Sequence, residues 1–281
     1  MIPASERIRN LLCSSRLKRF GFLLLVIAVF AFAYKKCYTS RYGPQKTFKS
    51  ARPTFLEIKD YNFTDPKLLE YLRRHVLIPP SKLPYNLTEE SANAPSYYKK
   101  ELNQILGNKK TGFFIECGAK DGEFLSNTLH LEKEGWTGLL VEAQPEWGKE
   151  LLTKNRKAWI ANVCLSPYLH ISEMGEHRLV DEVPCFPLVS LLSAIGVKHV
   201  DYFFLGFEGV ERQILKTLPF DETLVIDCIH VETVHLPGEE SAIKIFLETR
   251  GYDFVVKHGI DEFYKRRDYN SAPPDFAALR T

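Results

Sequence analysis

From Thr111 onward, short apolar runs alternate with longer stretches whose apolar residues recur at helical spacing. "GFFIECG", "GLLVEA", "AWIANV", "VDYFFLG", "LVIDCIHVE" and "YDFVV" read as strands, because β-branched and aromatic residues fill runs too short for buried helices. The intervening segments read as helices: near "EFLSNTLHLEKEG", from Pro145 onward, and over "PLVSLLSAIG", "VERQILKTL" and "EESAIKIFLETRG". Continuous apolar strands are covered on both faces, so this alternation predicts an α/β fold with a doubly wound, mostly parallel sheet. "YKRRD", beginning at Tyr264, reads as a solvated face.

The pattern differs upstream. Phe20–Tyr34 is an uncharged run between the basic pairs Lys18-Arg19 and Lys35-Lys36. A spanning helix takes about 20 apolar residues, and a shorter one is served by snorkelling lysines. A signal-anchor over 20–34 is therefore expected, with a cytosolic tail over 1–19; the rival is a cleaved signal peptide ending near Ala31 and Ala33. Prolines 44, 53, 66, 79, 80, 84 and 95 mark 35–110 as a partly ordered stem, with one docking helix near 66–76 capped by Thr64 or Asp65 and started by Pro66. The domain is expected over 111–268 and a C-terminal tail over 269–281. Sequons at Asn62 and Asn86 both follow the apolar run and favour a luminal body. These features together predict a single-pass type II membrane protein.

Composition narrows the function class. Apolar residues make up 45% and charged residues 26% of 281, and the net charge of +2 offers no basic field for nucleic acid. Six cysteines show neither CxxC pairing nor zinc spacing. Cys164 follows the third strand and Cys185 precedes the "PLVSLL" helix, so they are expected to form a bridge contributing roughly 3 kcal/mol; Cys117 and Cys228, on core strands, read as buried thiols.

In such a sheet, ligands bind beyond the carboxyl ends of the strands where the strand order switches. The first strand ends in "ECGAKDGE", with Glu116, Gly118, Asp121 and Gly122, and the second in Glu142. Glycine lets backbone approach a ligand closely, and an acid one strand over accepts both hydroxyls of a ribose. The turn is not GxGxxG, which disfavours a dinucleotide and fits a nucleoside without pyrophosphate, such as S-adenosylmethionine. The competing reading is a glycine turn and a surface glutamate of no functional consequence. On "DCIHVE", Cys228, His230 and Glu232 share one face, with His235 just beyond. Glu232 with His235, and with His230, suits a general base or a metal at the crevice; the simpler reading makes His230 a satisfied core histidine and Glu232 an acceptor for helix amides. Trp136, Trp147 and Trp159 read as core or pocket-wall aromatics.

"GFFIECGAKDGEFLSNTLHLEKEGWTGLLVEAQP", "CLSP", "CFPLVSLLSAIGVKHVDYFFLGFEGVERQILKTLPF" and "IHVETVH" resemble the FkbM-type methyltransferase family, and "DPKLLEYLRRHVLIPPSKLPYNL" resembles its Star-type branch. The resemblance implies a class I methyltransferase (Rossmann-like) fold with Gly118, Asp121 and Glu142 in the cofactor pocket. It also implies a role in moving membrane-bound growth-factor precursors from endoplasmic reticulum to Golgi and endosomes, with secretory-pathway protein cargo as partner. The family's Asp-x-Glu-Gly run is broken here: Gly206 stands where aspartate is expected, while Glu208 and Gly209 remain. Methyl transfer to an alcohol needs a group to take the hydroxyl proton, and Lys120 in the glycine turn is a poor neighbour for a sulfonium. A degenerate enzyme serving as a binding module is therefore expected. The alternative is an active O-methyltransferase for a luminal glycan or lipid-linked sugar.

Overall fold

A computed structural model describes residues 61–89, 98–174, 181–206, 209–233, 238 and 240–269. The chain divides into two compact units, Met1–Ser50 and Ala51–Thr281, and every described residue belongs to the second.

The parallel core comprises β2 (Phe113–Cys117), β3 (Thr137–Val141), β4 (Trp159–Ala161), β8 (His199–Leu205) and β9 (Val225–Glu232). With β1 (Leu77–Ile78), β10 (Tyr252–His258) and β11 (Asp261–Arg266) they form an eight-stranded sheet in the order β1-β4-β3-β2-β8-β9-β11-β10. β4, β3, β2, β8 and β9 run parallel, whereas β11 is antiparallel to both β9 and β10. The chain moves outward from β2 to β3 and β4, then returns to lay β8 against the other side of β2. The switch in strand order thus falls at β2 and β8, the place where an open, mostly parallel, Rossmann-like sheet has its crevice.

Helices lie between the strands: α3 (Leu129–Lys133), α4 (Pro145–Thr153), α5 (Leu188–Ile195), α6 (Glu211–Lys216) and α7 (Glu240–Thr249). α4 starts at proline, which fits a first turn with no amide partner to lose. α5 stops where Gly196 takes the left-handed conformation with φ 73°. The core is continuous through Phe114, Leu140, Ile160, Tyr202, Phe204, Cys228 and Phe263. A second, three-stranded sheet, β5 (Cys164–Leu165), β7 (Asp181–Phe186) and β6 (His170–Met174), sits between β4 and α5 in the chain, and the Cys164 and Cys185 sulfurs are bonded.

The expected docking helix is present, and the C-terminal "YKRRD" differs from expectation. α1 (Pro66–Tyr71) is capped by Asp65, whose carboxylate accepts from the Lys67 amide at 2.8 Å, and runs into a π-helical turn, Leu72–Val76. It is fastened to the main body: Arg73 Nε donates to the Ala194 carbonyl at 2.6 Å, Ser190 Oγ donates to that of Phe63 at 2.7 Å, and β1 extends the sheet. α2 (Lys99–Leu106) likewise packs into the core. The "YKRRD" segment is a solvated face only at Arg267 and Asp268: Tyr264 is fully buried on β11, which the sheet needs as the partner of both β9 and β10. Its charges mislead because Arg266 reaches inward to Asp227, donating from Nε and Nη2 at 3.0 and 2.9 Å.

The expected single-pass membrane protein is corrected: no helix of the described residues is long and apolar enough to cross a membrane. The run Phe20–Tyr34 that suggested it lies outside the described residues.

Candidate functional site

The turn after β2 is built from left-handed residues. Gly118, Lys120 and Gly122 have φ of 80°, 49° and 82°. Side chains rarely tolerate this region, and the glycines also lack the space for one. A Cβ on Gly118 would lie 2.3 Å from the Gly206 carbonyl oxygen, and one on Gly122 2.3 Å from Leu151 Cδ1. The turn is pinned to β3, since the Gly118 amide donates to the Val141 carbonyl at 3.0 Å.

Glu142 follows β3 directly and is 4% exposed. Its Oε2 accepts from the Lys120 amide and its Oε1 from the Gln144 amide, each at 2.7 Å. Desolvation raises its pKa, and these amide donors pull it back down. A carboxylate oxygen has two lone-pair sites, so each oxygen that takes one amide still accepts a second donor. Glu142 is thus held in one orientation at the end of β3 by amides of the surrounding turns. The Lys120 side chain is exposed, which lets its charge stay in water.

The other two acids face inward. Glu116 accepts from Ser126 Oγ at 2.8 Å, the Asn127 amide at 2.7 Å and Thr128 Oγ1. Burial raises its pKa against the pull of Arg156 and these donors. Asp121 Oδ1 accepts from the amides of Glu123 and Phe124 at 3.0 and 2.8 Å, which closes the turn. Both therefore shape the loop. Arg156, absent from the sequence reading, is fully buried beneath it. It pairs with Glu132 at 3.1 Å, donates to the Gly122 carbonyl and reaches Thr128 Oγ1 at 3.2 Å. "KNRKAW" looks like an ordinary basic surface run, so nothing in the sequence singled it out.

At the β8 end, Gly206 is hemmed in by side chains. A Cβ there would meet Phe204 Cζ at 2.7 Å and Glu232 Oε2 at 3.0 Å. The volume an aspartate at 206 would need is taken by the Phe204 ring and by a carboxylate from β9. His230 is a satisfied core histidine: it is fully buried, with Nε2 2.7 Å from Asp261 Oδ1 and Nδ1 2.7 Å from Tyr202 Oη. Desolvation lowers its pKa despite the aspartate, so the imidazole is neutral and accepts from Tyr202. Tyr98, preceding α2, donates to Asp261 Oδ2 at 2.6 Å and stacks edge-on to His230. Sequence reasoning missed Tyr98 and Asp261 because they come from opposite ends of the domain.

Glu208 and His235 lie outside the described residues. Asn62 is exposed; Asn86 is also exposed, but its Nδ2 donates to the Thr153 carbonyl at 3.0 Å. Cys117 and Cys228 are buried free thiols, and desolvation raises the pKa of both. A small cavity lined by Lys99, Leu102, His130 and Trp136 lies at the opposite end of the sheet, since Trp136 just precedes β3.

No family model and no curated protein matches the chain. Solved structures similar to it include the METTL16 MTase domain, 14% identical with a TM-score of 0.39, the match covering 82% of this chain and 94% of that one. Precorrin-6y C5,15-methyltransferase from Geobacter metallireducens is 13% identical with a TM-score of 0.36, covering 64% and 90%. M. jannaschii TYW2, solved in complex with AdoMet, is 12% identical with a TM-score of 0.30, covering 66% and 79%. Likeness at this level carries no assignment of substrate or activity.

Proposed function

We propose that the domain is a degenerate FkbM-type methyltransferase of the Star-type branch, which retains the nucleoside half of its crevice and works as a binding module. The observation that carries this reading is the crowding at Gly206, where a Cβ would meet the Phe204 ring at 2.7 Å and the expected acid enters only if that ring shifts. The nucleoside half is supported by the left-handed turn at Gly118 and by the oriented carboxylate of Glu142. Adenine and ribose of S-adenosylmethionine would lie beyond β2 and β3, with Glu142 accepting from the ribose hydroxyls. Protein cargo, in the trafficking of growth-factor precursors that the resemblance implies, is the partner this reading assigns.

One observation favours the alternative of an active O-methyltransferase acting on a glycan or lipid-linked sugar. Glu232 Oε2 lies 3.0 Å from where a Cβ of residue 206 would stand, so β9 places a carboxylate beside the position of the lost acid. In that reading Glu232 takes the acceptor proton as the methyl group transfers.

The test is calorimetric titration of the purified chain with S-adenosylmethionine, beside Glu142→Ala. Micromolar binding that the variant loses supports the nucleoside half, and absence of binding at millimolar cofactor removes it. Methyl transfer to a sugar acceptor that disappears in Glu232→Gln replaces the binding-module reading with the enzymatic one.

A further inference from the structure

The small sheet carries a constellation that the nucleoside crevice does not use. Cys185 on the central strand β7 is in register with Cys164 on β5 and with His170 on β6. Residues paired across neighbouring strands point to the same face. The register alone therefore sets two sulfurs and an imidazole in one row, and their ligand atoms lie within 4.8 Å of one another. The row is backed by apolar Ala143 and Val183, and Cys164 and Cys185 are 5% and 0% exposed. His170 Nδ1 lies 3.2 Å from the Tyr168 carbonyl. A carbonyl only accepts, so Nδ1 carries the proton and Nε2 the lone pair, the arrangement by which an outer partner orients a metal-binding histidine.

We propose that this row is a redox-gated zinc site. With the disulfide formed, the sulfurs have no anionic pair to offer and the site is closed to metal. A dithiol reductant opens it: the Cys164–Cys185 bond takes two electrons and two protons to become two thiols, and the dithiol is oxidised to its own disulfide. Zn²⁺ then displaces both thiol protons to solvent and is held by two thiolates and neutral His170. Two thiolates cancel the metal charge, so the bound site is electrically neutral, as its apolar backing requires. Sulfur and imidazole donors select zinc over calcium or magnesium, and three protein ligands leave a fourth position for water.

The test uses the full chain in its oxidised form and after dithiol reduction and anaerobic desalting. Zinc is titrated against a chromophoric chelator, and cobalt(II) is added in parallel to read thiolate-to-metal absorption. One tight zinc on the reduced chain, none on the oxidised chain, and at least a tenfold weaker site in reduced His170→Ala are expected. Equal uptake by both redox forms, or unchanged affinity in His170→Ala, overturns the proposal. The latter outcome shows that His170 is not a ligand. Loss of the fold on reduction, read by circular dichroism, overturns it as well.

Discussion

The carboxyl ends of β2 and β3 and those of β8 and β9 are neighbours in one sheet, and each carries a glycine at its turn. At Gly118 the backbone itself demands glycine: φ is positive and a carbonyl blocks the space. At Gly206 the demand comes from side chains, because Phe204 and Glu232 occupy the volume. A glycine at a binding turn therefore has two meanings. The first is a backbone shape that other residues cannot hold; the second is a packing arrangement in which neighbouring side chains occupy the space a Cβ would need.

Gly118→Ala is expected to break the first half outright. It adds both left-handed strain and a clash with backbone that has no rotamer to yield, and should cost more than about 3 kcal/mol in denaturant unfolding. Gly206→Asp tests the second half and should cost about 1–3 kcal/mol, because a ring can shift where a carbonyl cannot. Adding Phe204→Leu should recover part of that loss; if it recovers nothing, the ring is not what excludes the acid. Glu142→Gln separates shape from charge in the intact half. It keeps an acceptor for one amide, should lower stability by about 1 kcal/mol, and should weaken nucleoside binding about tenfold in calorimetry.

An effect of a different kind, read in pH, is expected at the far end of the sheet. Burial pushes the His130 pKa from 6.5 down to about 4. Between those values the unfolded chain binds a proton that the folded chain refuses, so stability falls as pH drops from about 6.5 toward 4. His130→Gln should flatten that slope in pH-dependent melting, leaving the crevice variants' ranking unchanged.

The parallel sheet was legible because its strands are continuous apolar runs, and Asp65, Pro66 and Pro145 announce their helices through local rules. β11 was not legible, since "YKRRD" conceals Tyr264 in the core and Arg266 in an inward pair with Asp227. The three-stranded sheet was missed too: β5 has only two residues, and β7 carries proline and charge, so neither shows a period. Gly118 and Glu142 could be placed from spacing. The inward commitment of Glu116 and Asp121 could not, because it depends on Ser126, Thr128 and Arg156 arriving from separate segments.

β1 is two residues long, yet it decides what a shortened version of this protein can be. Leu77 and Ile78 pair with Ala161 and Ile160 and cover the outer rim of β4. A fragment begun at Thr111 leaves that rim as a row of unpaired amides and carbonyls beside apolar side chains, a template for strands from other molecules. Such a fragment is expected to self-associate in light scattering, whereas one begun at Tyr61 stays dispersed. The last residues of the stem's docking segment are the domain's guard against sticking to itself.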